Sequence, residues 1–267
     1  MTEFQKQFNE VIELVSFNDF NQTIKRIIDF TLDTENIVFY KKTTDFLNWL
    51  DDNSNDDDAK KIKLQNLLNE IYNELDKKQC HEHQTIIKVE NLVKNYSSAF
   101  QLGPINLEIK TGEIIGLVGE NGNGKTTLLR SLCGEIHPSV GKVSYLFDKT
   151  DLYDLRTKLV YIPQRTNTWR GSMYENLEFT ASCFGYSPEE NNLIVDLIIT
   201  RLGLRKFKNY SWNNLSSGYK MRFELARMLL QKPKILLIDE PLANLDILAQ
   251  QTILDDFRNI ANSPFRP

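Results

Sequence analysis

Glycine and proline are absent from the first 84 residues of this 267-residue chain. That absence excludes a turn-rich opening and leaves helix as the reading, because nothing there breaks one. Cysteine is scarce. Cys80, Cys133 and Cys183 are odd in number and far apart, which excludes a disulfide framework and favours a cytosolic setting. No apolar run approaches the roughly 18 residues that span a bilayer. The opening MTEFQKQFNE has no basic stretch followed by an apolar one, so no secretory signal is expected. Excess basic charge is also missing. The net charge is −4, the wrong sign for a surface that grips phosphate backbones, and no nucleic-acid partner is expected. With 41% hydrophobic and 25% charged residues, the composition excludes wholesale disorder and fibrous repeats.

What is present divides near residue 84. Residues 1–84 hold 10 basic and 17 acidic side chains, against 22 and 19 in the remainder. Apolar residues in the first part recur at helical steps: Phe4, Phe8, Val11, Ile12 and Val15, then Ile24, Ile27, Ile28 and Leu32. Phe46, Trp49 and Leu50 suggest a third helix, and Leu64, Leu67, Leu68, Ile71, Tyr72 and Leu75 a fourth. The acidic stretch Asp51–Asp58 reads as a polar turn whose last aspartates favour a helix N-terminus. It lacks the central glycine and terminal glutamate of a calcium loop. Cys80, His81, Glu82 and His83 have no zinc spacing and read as a solvated linker. From Thr85 the pattern becomes α/β. Residues 105–109 alternate as a half-buried strand, while Ile114–Val118 and Ile235–Ile238 are continuous apolar runs, expected as strands buried on both faces.

The first of those runs leads into Gly119, Glu120, Asn121, Gly122, Asn123, Gly124, Lys125, Thr126 and Thr127, which fits the phosphate-loop pattern. Glycines let backbone amides curl around phosphate oxygens, and the following helix aims its positive end at them. Lys125 reaches the β- and γ-phosphates, and the Thr126 hydroxyl ligates Mg²⁺. The second run ends at Asp239, at a strand's carboxyl end, where it can hold Mg²⁺ through water. Glu240 points differently, toward an attacking water.

Three further segments narrow the family. Leu215-Ser216-Ser217-Gly218-Tyr219 precedes a helical run, Leu245-Asp246 follows Glu240, and Gln164 ends the strand-like Leu159–Pro163. Together with the loop and the acidic strand end, these resemble the ATP-binding cassette (ABC) ATPases over about residues 86–262. The resemblance implies an α/β P-loop NTPase with a β subdomain and a helical subdomain, preceded by a small all-α module. The domains expected are 1–84, a helical extension, and 85–267, the cassette. It also implies ATP and Mg²⁺, with Tyr96 stacking on adenine and Phe100 as a second aromatic candidate. Gln164 matches the glutamine that senses Mg²⁺ and water, and Glu240 the general base. Ser216 and Gly218 match the signature, which reaches ATP bound by another subunit, with Ser217 between them expected in the same contact, and Asp246 matches the loop that crosses between subunits. A second cassette, identical or related, is therefore an expected partner.

Two departures stand out. Ser217 and Tyr219 replace the Gly and Gln of the usual Leu-Ser-Gly-Gly-Gln signature. No histidine follows His137, so the family's switch histidine has no counterpart, and a cassette truncated at its C-terminal end is expected. The leading functional expectation is the ATPase subunit of a transporter working in export. It would lie peripherally on the inner face of the cell membrane and bind separate integral membrane subunits. Trp169 and Tyr174 are candidates for facing them. The alternative is a soluble ABC-type ATP-gated switch in translation or repair.

Overall fold

The computed structural model describes all residues except 1, 54–55, 79–83, 98–99, 244, 262, 264 and 266–267. The linker cluster Cys80–His83 lies outside the described residues. The chain forms two compact units, one of 1–80, 168–230 and 252–266, the other of 81–167 and 231–251. The boundary expected at 84/85 separates the extension from the cassette. The first unit joins residues 1–80 to later helices.

Four helices open the first unit: α1 (Glu3–Ser16), α2 (Phe20–Thr34), α3 (Ile37–Asp52) and α4 (Asp57–Leu75). Each begins where a short polar side chain satisfies an orphan backbone N–H. Thr2 forms a capping box with Gln5, and Asp19, Asn36 and Asp56 cap the other three. The acidic turn thus serves as a helix start. The apolar stripes turn inward as read, with Phe4, Val11, Val15, Ile27, Ile28, Leu64, Leu68 and Ile71 buried, and α1, α2 and α4 pack on one another.

The rest of this unit holds α7 (Met173–Cys183), α8 (Pro188–Arg201), α9 (Ser217–Gln231) and the C-terminal part of α10 (Ile247–Ala261). In the C-terminal half of α8, Ile194, Val195, Leu197, Ile198 and Ile199 are all buried, so its apolar surface is wide there. A wide apolar surface needs more than one neighbour to cover it. α7 supplies one side, and α2 and α3 of the extension supply others.

The second unit holds β1 (Thr85–Ser97), β2 (Phe100–Lys110) and β3 (Val140–Tyr145), an antiparallel sheet of order β2-β1-β3. A parallel pair, β4 (Leu159–Ile162) and β5 (Ile235–Ile238), lies in the same unit. Helix α5 (Lys125–Leu132) packs Leu128, Leu129 and Leu132 into one core with Ile87, Val89, Leu92, Leu159, Ile235 and Leu237. Helix α6 (Leu152–Lys158) leads into β4.

One expectation fails here. Ile114–Val118 is not a strand, and no strand among the described residues pairs with it. Ile114 is 62% exposed and Val118 99%. An apolar run becomes a buried strand only when neighbours take its N–H and C=O groups and cover its faces. Here neither condition is met.

Candidate nucleotide-binding site

The site grows from the parallel pairing of β4 with β5. Their register runs from Leu159↔Ile235 to Ile162↔Ile238, so both strands end at the same edge. The Asp239 N–H donates to Ile162 O at 2.9 Å, which extends the ladder one step. Its side chain is thereby delivered to the carboxyl edge, where open α/β sheets present ligand groups.

Helix α5 brings the other half. Gly122 and Gly124 take φ of +89° and +88°, a left-handed geometry that costs other residues strain. Gly124 is the N-cap of α5, and Thr126 is the second residue of that helix. The Thr126 hydroxyl donates to Asp239 Oδ2 at 2.7 Å. Residues 113 positions apart therefore meet in one hydrogen bond. Asp239 itself is 3% exposed. Lys125 Nζ donates to Gly119 O at 2.7 Å and Glu120 O at 3.1 Å, so the ammonium is tied to the loop's own carbonyls. Asn121, Gly122 and Asn123 are exposed, and Thr127 continues α5, where its carbonyl accepts from Ser131 Oγ at 2.8 Å.

Gln164 and Glu240 also meet. Gln164 Nε2 donates to Glu240 Oε2 at 2.5 Å, and both side chains are exposed. Glu240 has φ +48°, a left-handed conformation that costs a non-glycine residue about 1 kcal/mol. That turn separates its direction from Asp239's, although the two are adjacent in sequence.

Tyr161 is a site residue that the sequence reading passed over. Its hydroxyl lies 3.4 Å from Asp239 Oδ2. Burial first, and the Asp239 charge second, push its phenol up to about 12, so it stays protonated and donates. The signal was a lone hydroxyl in the otherwise apolar Leu-Val-Tyr-Ile strand.

Tyr96 stands on β1, 56% exposed. Lys94 Nζ lies 5.5 Å from its ring centroid, and the Phe100 ring is 6.2 Å away, centroid to centroid. Ser216 precedes α9 and Ser217 and Gly218 open it, in the first unit, and the Lys220 N–H donates to Ser216 O at 3.0 Å. The signature and the phosphate loop of this chain thus belong to different units. Tyr219 packs on Phe207, ring centroids 3.9 Å apart, which gives the aromatic at that position a structural occupation.

Trp169 does not face a partner. It is buried, stacked on Trp212 with centroids 5.0 Å apart, and its Nε1–H donates to Glu224 Oε1 at 3.1 Å. Tyr174 is half-buried, and burial pushes its phenol up to about 12. Among the described residues the exposed aromatics of this stretch are Phe179 of α7, at 71%, Tyr210 and Phe184.

A Gly-Lys-Thr loop that opens a helix, hydrogen-bonded to a strand-end aspartate, defines a P-loop nucleotide-binding protein of the α/β class. Comparison with known proteins gives the particular branch. The ABC transporter family model matches residues 102–243. The phosphonates import ATP-binding protein PhnC of Escherichia coli K12 is 34% identical over 197 residues, covering 66% of this chain and 75% of that protein. The solved structure of cbiO1 from Clostridium perfringens, described as part of the ABC transporter complex cbiONQ, is 30% identical with a TM-score of 0.61. It covers 68% of this chain and 76% of that one. An ATP-binding subunit of an ABC transporter gives a TM-score of 0.57 at 25% identity, over 66% of this chain and 75% of its own. The chain belongs to the ABC transporter family, and its likeness is to the ATP-binding subunits. Among the described residues no helix is long and apolar enough to cross a membrane.

Proposed function

We propose that this chain hydrolyses Mg·ATP as the peripheral energising subunit of a membrane transporter. The observation that carries the reading is the 2.7 Å hydrogen bond from Thr126 to Asp239, which joins the phosphate loop to the acidic strand end. The Thr126 hydroxyl and the Asp239 carboxylate are hard oxygen donors side by side, a pair that suits Mg²⁺. Gln164 supplies a further amide oxygen at the same edge. When bound, Mg²⁺ neutralises phosphate charge.

The protein's own groups then have distinct tasks. Backbone amides of residues 119–124 and the N-terminus of α5 hold the phosphates. Lys125 leaves the loop carbonyls and pairs with phosphate oxygen. Glu240, turned away from Asp239 by its left-handed backbone, accepts a proton from the attacking water. Gln164, already bonded to Glu240, orients that water. Tyr96 offers an open ring face to adenine.

Ser216, Ser217 and Gly218 complete the site of a second cassette, identical or related, and ATP holds the pair together. Separate integral membrane subunits bind the dimer at the inner face of the membrane, in the cytoplasm. The direction we favour is import, because the PhnC relatives are named for it. The export expected from sequence has no support among the named relatives.

The test is ATP turnover with dimerisation followed in parallel. Wild type should hydrolyse ATP and dimerise transiently. Glu240→Gln should lose at least a hundredfold in turnover and accumulate as an ATP-bound dimer. Unchanged turnover in that variant, or no ATP binding by wild type, would refute the assignment.

A further inference from the structure

The phosphate loop meets the antiparallel sheet at Gly124. A Cβ built on Gly119 or Gly122 would find nothing within 4 Å, so those parts of the loop stand clear of the fold. A Cβ on Gly124 would lie 3.0 Å from Phe100 Cζ and 3.0 Å from Leu102 Cδ1. Both side chains come from β2. Leu102 is buried in the core of the unit, and Phe100 packs against that same core. Gly124 is also the N-cap of α5, the point where loop becomes helix and where the backbone N–H groups turn toward a ligand. On its other side, Phe100 neighbours Tyr96, with centroids 6.2 Å apart and planes inclined by 39°. One ring therefore touches both the loop hinge and the aromatic platform.

We propose that Phe100 is a positioning residue that props the phosphate loop from beneath while backing Tyr96, so that it governs affinity for the triphosphate as well as for the base. The inference rests on the nucleotide-binding reading above. Its physical basis is preorganisation. A loop held in its bound geometry loses less conformational freedom when phosphate arrives, and affinity rises without any new contact to the ligand. Among the described residues Tyr96 shows no comparable hold on the loop. Its removal should cost base stacking alone.

The two roles separate when the base is left off the ligand. Calorimetric titrations of the full chain would use Mg·ATP and Mg·tripolyphosphate. The variants are Tyr96→Ala, Phe100→Ala, Phe100→Leu and Phe100→Met, each with its thermal unfolding midpoint recorded. Tyr96→Ala should weaken ATP about tenfold and leave tripolyphosphate within twofold of wild type. Phe100→Ala should weaken both ligands at least fivefold. Phe100→Leu keeps an apolar side chain on β2 but has no atom where Cζ meets Gly124. It should also weaken tripolyphosphate, and it decides the matter if the alanine variant does not fold. Phe100→Met, long enough to reach the hinge, should restore tripolyphosphate binding. If folded Phe100→Leu binds tripolyphosphate as wild type does, the prop does not exist and this inference fails alone. If wild type binds neither ligand, the nucleotide-binding reading fails first.

Discussion

Among the described residues Arg201 is the largest side chain to be fully buried, and replacing it tests how the extension is held. It ends α8. Its Nε donates to Asp29 Oδ1 at 3.1 Å and Oδ2 at 3.3 Å, its Nη2 donates to Oδ2 at 3.1 Å, and its Nη1 bonds Asp256 Oδ1. Asp29 belongs to α2 of the extension and Asp256 to α10, and both carboxylates are only 3% exposed. One guanidinium thus ties three distant stretches of chain within the first unit. Arg201→Met preserves most of the stem's packing but leaves two buried carboxylates facing each other. Breaking a buried pair by removing one partner costs about 3–5 kcal/mol, and here two acids lose their cation together. The upper part of that range is expected. With a urea slope of about 2 kcal/mol per molar, the midpoint should fall by about 2 M. Tryptophan fluorescence is a suitable probe, since Trp49, Trp169 and Trp212 all lie in this unit. The triple variant Arg201→Met, Asp29→Leu, Asp256→Leu should recover most of the loss, because replacing every member of such a group with apolar side chains is close to neutral. A loss below about 1 kcal/mol for Arg201→Met alone would refute this reasoning.

Deleting residues 1–84 should leave α8 uncovered and Arg201 without Asp29. The shortened protein is expected to aggregate or expose dye-binding apolar surface. A well-folded deletion variant with native fluorescence would show that α8 needs no cover. Thr126→Ala removes one of two adjacent oxygen donors, and the Mg²⁺ concentration for half-maximal ATP binding should rise at least tenfold; an unchanged requirement would remove Thr126 from the metal. Glu224 supplies a pH test. Burial, opposed by Arg227 and the Trp169 hydrogen bond, pushes its carboxyl above the ordinary value of 4.5. Folding therefore takes up a proton there, so its burial is least costly below 4.5 and grows more costly as pH rises from 4.5 through the raised value. Relative to wild type, Glu224→Gln should gain stability in denaturant titrations as pH rises above 4.5. A difference that shrinks with rising pH would contradict this sign.

Much of this was legible in the linear chain because it depends on local physics. The four apolar stripes at helical spacing follow from residue type alone, and the helix start in the acidic stretch, at Asp56, needs only a side-chain oxygen next to its own backbone. The Gly-Lys-Thr loop and the strand-end Asp239 announce themselves by residue type, since phosphate and metal chemistry tolerates few substitutes. What no local pattern carries is pairing between remote segments. Ile114–Val118 has the composition of a buried strand, yet a strand exists only with a neighbour, and none is present among the described residues. Trp169 has the look of a surface anchor until Trp212 and Glu224 enclose it. Arg201 reads as an ordinary helix-end cation, and its burial depends on carboxylates 172 and 55 residues away. Phe100 likewise acquires meaning only when β2 brings its ring edge under Gly124. Chemistry was written residue by residue; cover, burial and mutual support came from long-range contacts, whose energy depends on positions that sequence distance does not record.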